Sequence, residues 1–139
     1  MLERYVQTQG CWLPAALTAK DSLEASISHL FLQAAQIYSA DPERPGCLII
    51  DGTRNCGDAE ARALTAAMSR ATWGVVRDRI TESAPKLPSA EVEALADYVA
   101  MILVGLSGSA RDGVGLAALQ ASAEIAASGF SQQLEQCTD

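Results

Sequence analysis

Reactive side chains are few and far apart in this sequence. One histidine, His29, and four cysteines, Cys11, Cys47, Cys56 and Cys137, are the groups that could serve as nucleophile, base or soft metal ligand. Nucleophilic catalysis needs a base within hydrogen-bond reach of the nucleophile. No serine or cysteine stands at a local spacing that assigns it to His29. His29 precedes the apolar pair Leu30-Phe31, which favours a satisfied or half-exposed histidine over a polar contact in a pocket. The cysteines form no CxxC pair and read as reduced thiols. Arg54 near Cys56 is the one local feature that would favour a thiolate. Asp51-Gly52-Thr53-Arg54-Asn55 partly matches a calcium loop. However, Cys56 stands where glycine must turn the chain, and Arg62 where a bidentate carboxylate belongs. Gly105-Leu106-Ser107-Gly108 follows a helical pattern rather than a strand, so it is not a dinucleotide fingerprint. Zinc is unsupported by one histidine and dispersed cysteines. The expectation is a chain with no metal, no cofactor and no enzymatic centre.

The composition narrows the classes further. A chain of 139 residues with 49% apolar content is a single globular domain or part of a longer protein. Much of the apolar content is alanine, the strongest helix former. Acidic residues outnumber basic ones by 17 to 10, for a net charge of −7. Phosphate contacts are made by clustered Lys and Arg, and the basic residues here are scattered, so this chain by itself should not grip DNA. The longest apolar run, Tyr98 to Leu106, is about half of what a membrane span requires. Leu2-Glu3-Arg4-Tyr5 does not open a secretory leader. A soluble, cytoplasmic protein without membrane contact is expected.

The elements that must position any site are helical. No segment alternates with a period of two, so the fold class is all-α, an antiparallel bundle of about six helices. The opening, Met1 to about Leu17, is helical without an N-cap before Leu2, and Pro14 should kink or end it. Asp21-Ser22-Leu23-Glu24 resembles a capping box with Asp21 as N-cap. Leu23, Ile27, Leu30, Phe31, Ala34, Ile37 and Tyr38 then trace one face as far as Ser39. Asp41-Pro42 stops this helix, and Pro45–Gly52 reads as a brief buried helix. Asn55 or Asp58 caps the next long helix, which runs to about Ser83 with Leu64, Met68, Ala71 and Val75 facing the core. Arg62, Arg70, Arg77 and Arg79 lie mostly off that face. Trp73 falls on the polar side, either half exposed or covered from outside the immediate core.

Pro85 and Pro88 mark the next connection, and Ser89 caps a helix whose core face is Leu95, Val99, Ile102, Leu103 and Leu106. Gly113 is a left-handed C-cap. The last helix runs from near Val114 to near Gln136, with Leu116, Leu119, Ala123, Ala126 and Phe130 inward. On these two helices Gly105, Gly108, Ala118, Ser122, Ile125 and Gly129 form a small-residue face away from the core stripe. Such a face either meets a partner or packs tightly within the monomer, and a dimer is favoured.

Arg44-Pro45-Gly46-Cys47-Leu48-Ile49-Ile50 is similar to the Gly-Cys-Leu stretch that follows the second helix of the effector domain in TetR/AcrR-type transcriptional regulators. The order around it fits as well. There is a helix ending at Tyr38, the Gly-Cys element, an Ala/Arg-rich helix, and two closing helices joined at Ala110-Arg111-Asp112-Gly113. The resemblance covers essentially the whole chain. It implies a homodimer whose last two helices form a four-helix interface. It also implies that residues 1–17 are the end of a connecting helix, and that residues 18–139 are an effector-binding and dimerisation domain. DNA would be contacted only through a helix-turn-helix domain that this sequence lacks. The implied effector is small and apolar or amphipathic. The candidate pocket residues are Trp12, His29, Met68, Thr72, Trp73, Tyr98 and Ile102. The alternative is a stand-alone helical homodimer that binds a small molecule or protein partner without DNA.

Overall fold

The computed structural model describes residues 12–47 and 57–138. Among these the chain is all-α, with helices α1 (Trp12–Thr18), α2 (Leu23–Ser39), α3 (Ala59–Ser83), α4 (Ser89–Arg111) and α5 (Leu116–Thr138). Most of the opening helix expected from Met1, and all but the first residues of the short Pro45–Gly52 helix, lie outside the described residues. Pro14 does not end α1, which continues to Thr18.

The second helix is the centre of the molecule. Leu23, Ile27, Leu30, Phe31, Ala34, Ala35 and Tyr38 are buried along it. It packs most extensively against α5, then against α4 and α1, and touches α3. Its start differs from the expectation by one residue. Ser22, not Asp21, is the N-cap, and its hydroxyl accepts from the Ala25 N–H at 3.1 Å. Asp21 and Ser22 are both competent caps, and the extended backbone at Ser22 (φ −88°, ψ 151°) settles the choice.

The helix ends where its periodicity does, and the exit is tightly fixed. Asp41 accepts from the Glu43 N–H through its side chain at 2.9 Å, and from Arg44 N through its carbonyl at 3.1 Å. The Gly46 N–H then donates to the Tyr38 carbonyl at 2.7 Å, satisfying an acceptor at the helix end. Gly46 has φ +86°, in the left-handed region that favours glycine. The next N–H, that of Cys47, donates to the buried Ser107 hydroxyl of α4 at 2.6 Å. Thus the Pro45-Gly46-Cys47 turn is clamped to a helix some 60 residues later in the chain.

Asp58 caps α3, accepting from the N–H groups of Glu60 and Ala61. The buried face of α3 differs from the expected one. Thr65, Val76 and Ile80 are buried, Leu64 and Met68 are half-buried, and Ala71 and Val75 are exposed. The face is rotated by about one residue, roughly 100° of helix. Trp73, expected half exposed or covered from outside the immediate core, is half-buried and packs against the core from this rotated face. Its indole N–H donates to Asp97 of α4 at 2.8 Å.

At the start of α4 the cap also differs. Pro88 is the N-cap with no side-chain bond, and Ser89 is already the first helical residue. Proline there fixes a φ of −58° that already suits the helix. By length and composition alone α4 could cross a membrane. Instead, its apolar stripe of Val92, Leu95, Ala96, Val99, Leu103 and Leu106 is buried against neighbouring helices, while Ile102 is half-buried. Gly113, with φ +91°, ends the helix as expected, and Val114 N–H reaches back to the Ser109 carbonyl at 3.0 Å. In α5, Leu119, Ala123, Ala126 and Phe130 are buried, as the pattern predicts, and so is Leu134. Leu116, expected inward, is 42% exposed at the first residue of the helix, before its buried stripe begins at Leu119.

A methyl group at Gly46 would lie 2.8 Å from the Arg111 Cγ and 2.9 Å from the Ser107 carbonyl oxygen. Gly46→Ala should therefore cost about 2 kcal/mol or more in urea unfolding, from left-handed strain plus the backbone clash. The control is Gly57→Ala, where an added Cβ meets nothing within 4 Å; it should shift stability by less than about 1 kcal/mol.

Candidate functional site

The pocket candidates Trp12, His29, Met68, Thr72, Trp73, Tyr98 and Ile102 are all half-buried. They lie on several helices, and the contacts that fix three of them fall in different seams. In the α1–α2 seam Trp12 meets Tyr38 edge-on, with centroids 6.1 Å apart and planes at 75°. In the α3–α4 seam Trp73 bonds Asp97, and the Arg77 guanidinium lies 5.3 Å from the indole centroid. Arg77 also pairs with Asp78 at 3.0 Å, both well exposed. Such exposed pairs contribute little stability.

Tyr98 belongs to the α4–α5 seam. Its hydroxyl donates to the Ala126 carbonyl at 2.8 Å, and partial burial raises its pKa above the ordinary 10.0. Gly129 makes room for it, since a Cβ there would stand 3.0 Å from the phenolic oxygen. Beside this contact is a groove of about 350 Å³ between the start of α4 and the end of α5. Glu91, Leu95 and Tyr98 line one wall, and Phe130, Gln133 and Cys137 the other. Leu95 and Phe130 form a buried apolar floor. The remaining groups, Glu91, Gln133, Tyr98 and Cys137, supply a carboxylate, an amide, a phenol and a thiol at the rim. The groove lies at the small end of the size range for small-molecule sites, and its character is also theirs. Of the candidates, only Tyr98 lines it. The i, i+4, i+7 spacing of Glu91, Leu95 and Tyr98 is visible in the sequence, but the antiparallel register that sets them opposite Phe130 and Gln133 is not.

The small-residue face is largely open to solvent. Gly105, Ala118, Ser122, Ile125 and Gly129 are exposed and Gly108 is half-buried. Ile125 is 74% exposed, and Met101, four residues before Gly105, is 70% exposed. Each of the two closing helices thus exposes a large apolar side chain. Among the described residues, no three His, Cys, Asp or Glu side chains gather as metal ligands would.

This arrangement is the helical fold of the TetR-type transcriptional regulators. Cysteine-substituted forms of the TetR family transcriptional regulator CifR, solved with 26-bp operator DNA, superpose on 91% of the chain with TM-scores of 0.77 and 0.76 at 23% identity. The chain covers 69% and 68% of those proteins. At that identity the likeness shows the fold. In sequence the chain is similar to the HTH-type transcriptional repressor BdcR of Escherichia coli (strain K12), being 24% identical over 136 residues. The match takes in 98% of this chain and spans 66% of the length of that relative. No family model matches the chain. The names of the relative and of the structural neighbours support a relationship to TetR-family regulators, and they are regulators rather than enzymes.

Tyr98→Phe should lower stability at neutral pH by about 1 kcal/mol, through loss of the bond to Ala126. It should also change the alkaline limb. The fold keeps Tyr98 protonated above 10.0, where an unfolded chain ionises. Its contribution is complete below that pH and is lost as pH rises through the folded pKa. Urea midpoints across this range should fall more steeply for the parent than for Tyr98→Phe.

Proposed function

We propose that this chain is the ligand-binding and dimerisation domain of a TetR-type transcriptional repressor. A small apolar or amphipathic effector would alter the DNA affinity of a helix-turn-helix domain lying outside the chain. The observation that carries this reading is the match to a named repressor, which takes in 98% of the chain yet only 66% of the repressor. The net charge of −7 agrees with a portion that does not itself hold DNA. Residues 1–17 serve as the end of the connecting helix, and residues 18–139 as the effector-binding and dimerisation domain.

The dimer forms through the last two helices. Gly105, Gly108, Ala118, Ser122, Ile125 and Gly129 let two copies approach closely, and the exposed Met101 and Ile125 are the side chains that pairing would bury. The effector is held by half-buried side chains in the helix seams, drawn from Trp12, His29, Met68, Thr72, Trp73, Tyr98 and Ile102, with Tyr98 shared with the α4–α5 groove. Coupling between effector and DNA then follows from linkage. An effector that fits one setting of the helices better shifts operator affinity by a coupling energy of about 1–3 kcal/mol.

The test has two parts. The chain should sediment as a dimer at micromolar concentration, and Ile125→Asp should convert it to a monomer with unchanged helical circular dichroism. The product of the whole native reading frame that contains this chain should bind the DNA flanking that frame, while the chain alone should not. A monomeric parent chain overturns the interface. A dimer whose native-length product ignores DNA overturns the repressor reading in favour of a stand-alone helical dimer.

A further inference from the structure

The C-terminal end of α1 is held in an unusual way. The last carbonyls of a helix have no partners within it, and the helix dipole places negative charge there, so a Lys, Arg or His in the last turn is the ordinary remedy. The last turn of α1 has no basic residue. The cation comes from another helix. Arg79 of α3 donates from Nε to the Leu17 carbonyl at 2.9 Å and from Nη2 to the Asp21 carbonyl at 3.5 Å. The same Nη2 lies 3.4 Å from the Ser26 hydroxyl of α2, which is fully buried and donates in turn to the Lys20 carbonyl at 3.1 Å. Nη1 donates to Ser83 one turn along α3, which fixes the plane of the guanidinium.

The carbonyls of Leu17, Lys20 and Asp21 are therefore taken up by side chains of α2 and α3, across gaps of up to 62 residues. A rigid planar fork of donors serves several fixed acceptors in this way better than the compact, rotating ammonium of a lysine. We infer that Arg79 is the positioning residue that fixes the direction of α1 against α3, so that a displacement of α3 is passed to α1 through this side chain as well as through the direct packing of the two helices. The inference rests on α1 being the end of the helix that leads to a DNA-reading domain. In that setting Arg79 sets the spacing of the two reading heads.

Hydrogen exchange on the chain, followed by mass spectrometry, tests the anchor without any DNA or effector. Arg79→Ala should speed exchange of amides 15–19 roughly tenfold, with α4 and α5 unchanged. Arg79→Lys should give a smaller rise in the same segment. Val99→Ala, in the core of α4 and away from α1, should raise exchange throughout and marks what general destabilisation looks like. No rise in the 15–19 segment, or a rise spread evenly over all helices in Arg79→Ala, overturns the anchor. The second arm uses the native-length product and the DNA flanking its own frame. There, Arg79→Lys should shift affinity severalfold without loss of helical circular dichroism, and an unshifted affinity overturns the positioning role. If the parent native-length product does not bind that DNA, the repressor reading fails, and the anchor is decided by exchange alone.

Discussion

The structure depends on the burial of α2 on nearly every side. Each of the other described helices touches it. Ile27, Leu30, Phe31, Ala34 and Ala35 have no solvent exposure at all. Each of the large side chains contributes about 1.5–3 kcal/mol by leaving water. The alanines contribute differently, by letting neighbouring helices approach the α2 backbone where a larger side chain would hold them off. A helix enclosed in this way cannot shift without opening the core. It therefore acts as the fixed frame, and adjustable contacts must lie at its rim, where Trp12 meets Tyr38 and where the α3–α4 and α4–α5 seams open.

The end of that frame is fixed by backbone chemistry rather than by apolar contact. A chain leaving a buried helix carries carbonyl and N–H groups that burial would leave unsatisfied. The Tyr38 carbonyl is met by Gly46 N–H, and Cys47 N–H by the Ser107 hydroxyl. The Pro45-Gly46-Cys47 sequence follows from this geometry. Glycine is needed for the left-handed turn and because Arg111 and Ser107 lie against its α-carbon. A small, weakly polar cysteine suits a position only 7% exposed. Ser107 is the complementary choice on α4, a buried hydroxyl where the periodic pattern would accept any small residue.

What could be read from the sequence follows how local each feature is. Strong periodicity gave α2 its extent to within a residue, and Gly113 its left-handed cap, because both depend on neighbours in the chain. The cap of α2 slipped by one position because Asp21 and Ser22 compete for it. The face of α3 differs because its apolar pattern is weak, with alanines and arginines spread around the helix, so packing against other helices decides which side is buried. The α4–α5 groove depends on the register between two helices, and the Arg79 network on groups up to 62 residues apart. No local spacing encodes either. The scattered arginines of α3 look alike in sequence, yet Arg77 covers an indole at the surface while Arg79 ties down a different helix.

That contrast between α2 and α3 bears on how such a domain can respond to a ligand. A switch needs an element that can be displaced at small cost, and local stability follows buried apolar contact. With 25 residues α3 is the longest described helix, yet only Thr65, Val76 and Ile80 are buried along it. Val76 and Ile80 lie in its second half, close to Arg79. The first half rests on half-buried side chains such as Leu64 and Met68. The half that carries Arg79 is therefore the one best packed into the core. The guanidinium at that packed end is bonded to the Leu17 carbonyl in the last turn of α1. The distribution of burial along α3 thus places its best-packed turns beside the contact that holds the end of α1.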